Sequence, residues 1–344
     1  MSQPSYLNEH RNMHRPRAFE GKIVVITGAS SGIGRAAALQ FAAAGARVAL
    51  AARRGEALEE VAAACRARGG DALVVVTDVT REQDVDRLLE QVLTRWQRVD
   101  VWINAAGATM FGRLDQGDFA AHRQVLEVNL IGPMYAARLL VPVFHRQRAG
   151  TLMNIGSVLS KIGQPFVPSY VISKFGIEGL SETMRYEFAD IPEVNVCTLL
   201  PYAIDTPHFE EGANGTGRRA HAMPPVQDPE DVATAMLSMA AGRRRQRYVP
   251  HYAAIGVALH WLFPRTTERL IKHALSAFHL VARESPSDGS IYAPRKARGT
   301  IRGVRQPVIG TGALMVWILG DLLSLPFEAL THRNKQWPMT PPTR

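Results

Sequence analysis

Between residue 22 and about residue 250 the chain alternates short apolar runs with longer stretches in which apolar residues recur every three or four positions. The runs cover residues 23–27, 47–51, 72–76, 101–104, 151–155, 194–200 and 247–249. Several, such as Ile23-Val24-Val25-Ile26, have no polar face, the pattern of strands buried on both sides of a parallel sheet. Helical spacing marks residues 35–44, 57–68, 84–96 and 177–189. Strand, helix, strand repeated in this way predicts an α/β fold, a doubly wound parallel sheet of about seven strands. Right-handed crossovers place helices on both faces, and ligands are expected at the carboxyl ends of the strands.

The pattern changes after residue 250. Residues 254–263 and 270–281 are apolar and helix-like, separated by Pro264, and a loop rich in Pro, Gly and Arg follows over 285–307. Residues 308–325 are strongly apolar but contain Asp321. Eighteen residues is near the lower limit for crossing a bilayer. The reading adopted is a helix packed on the main domain or at a subunit interface; insertion in or attachment to a membrane is the alternative. Residues 1–19 are polar, lack the apolar core of a secretory signal, and are expected to form a flexible tail. The expected division is therefore a tail (1–19), a dinucleotide-binding catalytic domain (20–250) and a helical or irregular extension (251–344). His260, His273 and His279 lie on helix-like stretches without metal-ligand spacing, and no metal is expected.

The first candidate chemistry lies just after the first apolar run. Thr27-Gly28-Ala29-Ser30-Ser31-Gly32-Ile33-Gly34 links a strand to a helix. Gly28 allows a sharp turn, Gly32 a close approach of backbone to a pyrophosphate, and Gly34 tight packing of helix on strand. The helix N-terminus favours the negative charge. In that strand–turn–helix context the motif predicts a dinucleotide site, with Ser30, Ser31 and Ile33 on its wall. The second strand ends in Ala51-Ala52-Arg53-Arg54, where an acidic residue would hold the ribose hydroxyls of NAD. Arg53 first, and Arg54 second, can pair with a ribose 2′-phosphate, so NADP(H) is expected over NAD(H). The alternative is a solvated arginine pair opening a helix.

Composition adds limits. The 344 residues suffice for one large α/β domain with an appendage, and 46% hydrophobic with 21% charged residues excludes general disorder. Two cysteines, Cys65 and Cys197, build no disulfide framework and fit a reducing, cytoplasmic setting. The net charge of +9 gathers at Arg11, Arg15 and Arg17, at Arg243, Arg244, Arg245 and Arg247, and over residues 295–305. Solvated loops explain it, and peripheral contact with an anionic membrane is the sharper alternative. Nucleic acid is not expected, because no helix combines the basic residues with stacking aromatics.

The second candidate chemistry is Ser157 at the end of the fifth run, followed by Tyr170-Val171-Ile172-Ser173-Lys174. Four-residue spacing puts Tyr170 and Lys174 one helical turn apart. A phenol near pKa 10 is a poor acid–base group at neutral pH; an adjacent ammonium, together with the positive nicotinamide, is expected to lower that value. Tyr170 can then exchange a proton with a substrate oxygen that Ser157 orients. A Tyr-x-x-x-Lys pair alone is usually structural. Here it closes an ordered series: Gly-rich turn, Asp78, Asn104-Ala105-Ala106-Gly107, Asn129, Ser157, Tyr170, Lys174.

With this series the chain resembles the short-chain dehydrogenase/reductase family over about residues 20–250, in the form of an extended bacterial member. The resemblance implies a Rossmann fold and hydride transfer between a nicotinamide and a carbonyl or secondary alcohol carbon. It implies that Asp78 and Val79 contact the adenine. Asn104, Ala105 and Gly107 would support the sheet and line the cofactor. Asn129 would join a water-mediated relay to Lys174, and Lys174 would bind the nicotinamide ribose. Pro201, Ile204 and Thr206 would lie against the carboxamide. It also implies a homodimer or homotetramer. Asp78 as an N-cap, and Asn104 and Asn129 as partners of backbone groups, are the plainer alternatives. Tyr202 stands where the family usually has glycine and puts substrate size in question. Residues 207–225, with Phe209, Asn214, Gly215 and Gly217, read as a flexible cover over a pocket for a small apolar carbonyl or alcohol. A non-catalytic NADP(H)-binding scaffold or sensor is the alternative from another functional class.

Overall fold

Seven strands form one parallel sheet: β1 (Ile23–Thr27), β2 (Arg47–Ala52), β3 (Asp71–Val76), β4 (Val101–Asn104), β5 (Gly150–Ile155), β6 (Val194–Pro201) and β7 (Gln246–Val249). Their order is 3-2-1-4-5-6-7, every pair parallel, so the chain reverses its direction of winding between β3 and β4. The structure is a computed structural model and describes residues 18–294, 299–304 and 307–331, with only the helical course of 323–331. Arg11, Arg15, Arg17, Arg295 and Arg305 of the basic clusters lie outside the described residues.

The apolar runs follow from burial on two faces. Val24 and Ile26 point into one core layer with α1 (Gly32–Ala43), α2 (Gly55–Arg66) and α8 (Pro229–Ala241). Ile23 and Val25 point into the other with α3 (Glu82–Trp96), α5 (Gly132–Gln147) and α6 (Pro168–Glu187). Strand periodicity of two sends neighbours to opposite layers, so both must be apolar. Phe19, which closed the expected tail, is instead buried, with its ring edge-on to Phe41 at 4.9 Å.

Two helices depart from regularity where the site is built. α4 (Phe119–Leu126) runs into α5 through one π-helical turn, Glu127–Ile131, which carries Asn129. Such a bulge re-aims one side chain without ending the helix. α7 (His208–Glu211) is a single short turn inside the expected flexible cover.

The rest of that cover is tied down. Ala213–Asn214 pairs with Met110–Phe111, and Arg218–Ala220 pairs antiparallel with Leu280–Arg283. This second pairing corrects the helix expected over 270–281. α10 (Pro264–Phe278) stops at Phe278, and the next residues become a strand because Arg218–Ala220 offers a sheet edge. α9 (Ala253–Leu262) precedes α10, and α11 (Thr311–Thr331) packs on α10 through Leu314, Trp317 against Phe278 at 5.3 Å, and Asp321 near His273 at 3.2 Å. Among the described residues no helix is long and apolar enough to cross a membrane.

Candidate functional site

The Gly-rich turn is fixed by contacts that exclude side chains. Gly28 has φ +71°, and a Cβ there would lie 2.7 Å from the backbone of Ala106. A Cβ on Gly34 would overlap the carbonyl oxygen of Gly28. α1 has no acidic residue in its first turn and no side-chain cap, so its N-terminal dipole is not neutralised from within the helix. Gly32 meets a different neighbour from the one expected. The methyl group of Thr206 lies 3.3 Å from its Cβ position, and its N–H donates to the carbonyl of Thr300 at 2.8 Å.

Both arginines after β2 are engaged. Arg54 donates to Ser31 Oγ at 2.8 Å and Ser30 Oγ at 3.2 Å, and pairs with Glu211 at 2.9 Å, bracing the turn. Arg53 donates from Nη1 to the carbonyls of Ile291 (3.2 Å) and Tyr292 (3.0 Å), and from Nη2 to that of Ser290 (2.6 Å). Among the described residues no partner takes its Nε–H or its second Nη2–H, the two donors a bidentate contact requires.

Ser157 does not end a strand. β5 closes at Ile155, and Ser157 caps the short 3₁₀ turn Val158–Ser160. Its Oγ accepts from the Leu159 N–H at 3.1 Å, while Ser160 Oγ accepts from the Ser157 N–H at 3.1 Å. This reciprocal capping fixes the hydroxyl. Tyr170 and Lys174 lie one turn apart on α6 as expected, with Lys174 Nζ 5.3 Å from the phenol ring centroid. Lys174 Nζ donates to the carbonyl of Ile155 at 2.7 Å.

The protein's own groups shift the Tyr170 pKa upward. Burial pushes the phenol up to about 12, and the hydrogen bond with Ser157 offsets only part of that. Burial also lowers Lys174 to about 8. Desolvation penalises whichever form carries charge, and here it outweighs the attraction between ammonium and phenolate.

Asn129 shares no direct hydrogen bond with Lys174 among the described residues. Its Nδ2 donates to the carbonyl of Ala108 (2.9 Å) and to Ser173 Oγ (3.0 Å), and its Oδ1 accepts from the Ala108 N–H (2.8 Å). Asn104 bridges strands, accepting from Trp102 Nε1 at 2.9 Å and donating to Asn154 Oδ1 at 2.8 Å. Asp78 Oδ1 accepts from the N–H and the hydroxyl of Thr80 (3.1 and 2.8 Å), a local turn. Asn129 thus pairs with backbone groups, whereas the partners of Asn104 are side chains, and Asp78 holds a local turn while Arg81 takes the N-cap of α3.

Even so, the remaining expected residues converge. Gly28, Ser30, Ser31, Gly32, Ile33, Gly34, Arg53, Arg54, Asp78, Val79, Ala105, Gly107, Ser157, Tyr170, Lys174, Pro201, Ile204 and Thr206 all line one cavity of about 490 Å³. Only Asn104 and Asn129 stand behind its wall. The size is ordinary for a ligand site. The glycine cradle and the two arginines fit the phosphates of a dinucleotide at one end. The far end is apolar, walled by Phe111, Phe209, Leu270, Leu275, Leu314 and Ile318.

Two contributors were missed in the sequence. His208 lines the cavity with its ring centroid 5.4 Å from that of Tyr170; burial first, and the charge of Lys174 second, lower its pKa to about 4 and keep it neutral. Its place directly after Thr206-Pro207 was the only available signal. The other is the segment around Ser290, which looked like an irregular loop.

The comparisons agree with this geometry. The family model described as short chain dehydrogenase matches residues 22–215. An uncharacterized oxidoreductase of Bacillus subtilis, YxnA, is 34% identical over 275 residues, 79% of this chain and 77% of the relative. 11-beta-hydroxysteroid dehydrogenase A of Sesamum indicum is 31% identical over 252 residues, 70% of this chain and 71% of the relative. A short-chain dehydrogenase/reductase of Burkholderia phymatum, solved with NAD, superposes with a TM-score of 0.65 at 26% identity, covering 72% of this chain and 95% of that one. An alcohol dehydrogenase of Thermococcus sibiricus, solved with 5-hydroxy-NADP, gives 0.58 at 28% identity, covering 67% and 96%. Its fold, its ordered motifs and these matches place the chain in the short-chain dehydrogenase/reductase family of oxidoreductases.

Proposed function

We propose that the protein is an NADP(H)-dependent oxidoreductase that interconverts a carbonyl and a secondary alcohol in an apolar substrate. The observation that carries this reading is the continuous cavity. It joins the Gly-rich turn and Arg53 at one end to Ser157, Tyr170 and Lys174, and then to an apolar chamber at the other. The glycine turn and Arg53 would hold the dinucleotide, and a reduced nicotinamide there would supply the hydride for a carbonyl carbon. Tyr170 carries its proton at neutral pH and gives it to the substrate oxygen in reduction; burial raises its pKa and so makes the phenolate left behind costly. Ser157, fixed by its cap, donates a second hydrogen bond to that oxygen. Lys174 brings positive charge beside the phenol and stabilises the phenolate left when the proton has gone. Asn129 holds the π-turn against Ala108 and Ser173 and thereby the α6 face that carries Tyr170 and Lys174.

The related structures hold NAD in one case and a NADP derivative in the other, so the choice rests on Arg53. A charge-assisted bond to a 2′-phosphate is worth roughly 1.5–3 kcal/mol, and at a partly solvated site the pair of bonds is taken at that value. Arg53→Ala is therefore expected to weaken NADPH about 10- to 100-fold and to leave NADH within about 2-fold. Fluorescence titration of both cofactors reads this directly. Equal losses for the two would remove Arg53 from the role and leave Arg54 to be tested.

A further inference from the structure

We infer that two pieces of the C-terminal extension, residues 288–292 and 299–303, form a strap that completes the dinucleotide site. The first sets Arg53 for a 2′-phosphate, and the second closes the Gly-rich turn. The inference rests on the reading that the cavity holds NADP(H).

The first piece sits between α4, α7 and Arg53. Its Ser290 N–H donates to the carbonyl of Glu211 at 2.7 Å, and Gln124 Nε2 donates to the carbonyl of Ile291 at 3.2 Å. Held so, the three successive carbonyls of Ser290, Ile291 and Tyr292 accept from Arg53. Three backbone acceptors fix a side chain that would otherwise keep most of its rotamer freedom, and a fork oriented in advance loses less on binding a phosphate. The second piece crosses the N-terminus of α1. The Thr300 carbonyl accepts the Gly32 N–H, Arg35 donates to the carbonyl of Gly299, and the Gly303 N–H donates to Asp205 at 3.2 Å. Arg302 pins it to Asp228 and Glu230 of α8 and its cap.

The glycines show that the fit is close. A Cβ on Gly289 (φ +56°) would overlap the carbonyl of Glu211, one on Gly299 that of Ser30, and one on Gly303 would lie 2.5 Å from that of Thr206. Each glycine thus lets the strap touch backbone of a loop that lines the cavity. Ser290, Ile291 and Pro294 line that same cavity. Ile291 is the one large apolar side chain the two pieces bury fully, so the strap is held mainly by polar backbone contacts. Segments held in this way open at lower cost than a packed core.

The full-length protein tests this with two substitutions. Gly289→Ala is expected to displace residues 290–292 from Arg53 and lower the preference for NADPH over NADH about 10-fold in fluorescence titrations. A merely structural strap would weaken both cofactors equally. Gly299→Ala is expected to speed dissociation of NADPH and NADH alike by about 10-fold in a stopped-flow chase. If that chain fails to fold, Arg302→Ala, which removes the ion pairs to Asp228 and Glu230 and a longer one to Asp205, is expected to shift dissociation the same way by a smaller factor. In the wild type, either cofactor is expected to slow tryptic cleavage after Arg302. Dissociation rates equal to wild type in the folded variants, or cleavage insensitive to cofactor, would overturn the inference. If Arg53→Ala affects both cofactors equally while Gly299→Ala still speeds their release, the NADP reading fails and the covering role of the strap stands.

Discussion

Tyr170→Phe is expected to lower kcat for carbonyl reduction by about 10²–10⁴-fold, the range spanned by a well-placed general acid. The ring would remain, with its packing against His208 and under Lys174, so the cavity should keep its shape. Binding of NADPH is therefore expected to change by less than about 2-fold, which places the loss in the chemical step. Buried and raised to about 12, the Tyr170 phenol carries its proton throughout the neutral range, so wild-type reduction should not lack acid there. The measurement is steady-state reduction of a panel of apolar ketones and aldehydes with NADPH, beside a fluorescence titration of the cofactor. Turnover equal to wild type in the Phe variant would show that another group supplies the proton.

What the sequence disclosed follows from which interactions leave a periodic or ordered trace. The sheet was legible because β1, β2 and β5 are buried on both faces and so run apolar without alternation. Tyr170 and Lys174 were legible because helical spacing places them on one face. The strap was not. Its seats are glycines against carbonyls and its partners are backbone atoms, so residues 288–304 read as a loop rich in Gly and Arg. The π-turn at Asn129 was invisible for a related reason, since Glu127–Ile131 keeps helical residue types and differs only in hydrogen-bond spacing. Spacing gives the distance from Tyr170 to Lys174 but not the burial of both, and among the protein's own groups burial is the larger effect on the phenol. The end of α10 moved because a distant edge, Arg218–Ala220, captured the residues after Phe278, a tertiary choice that local pattern does not encode.

The same burial makes Lys174 a charge that the fold tolerates at a cost. Only 5% exposed, its ammonium has one hydrogen-bond partner among the described residues, the carbonyl of Ile155, and its pKa falls from 10.5 to about 8. A folded value below the unfolded one means that folding penalises the charged form. Below about pH 8 both states are charged and the penalty is full; as pH rises from 8 toward 10.5 the folded state discharges first and the penalty disappears. The shift corresponds to roughly 3 kcal/mol at neutral pH. Lys174→Met removes the charge and keeps an unbranched side chain of similar length. It leaves the Ile155 carbonyl without its donor, at a cost of about 1 kcal/mol. The cofactor-free Met variant is therefore expected to be more stable than wild type by about 2 kcal/mol at pH 7 in urea unfolding, an advantage that shrinks toward pH 10. Its turnover should fall by about 10²-fold or more, because the phenolate formed at Tyr170 loses its counter-charge. A functional group held against stability is the usual trade at an active site. A Met variant that is less stable than wild type at neutral pH would show instead that the bond to Ile155 outweighs desolvation, and that Lys174 holds the end of β5 as well as a charge.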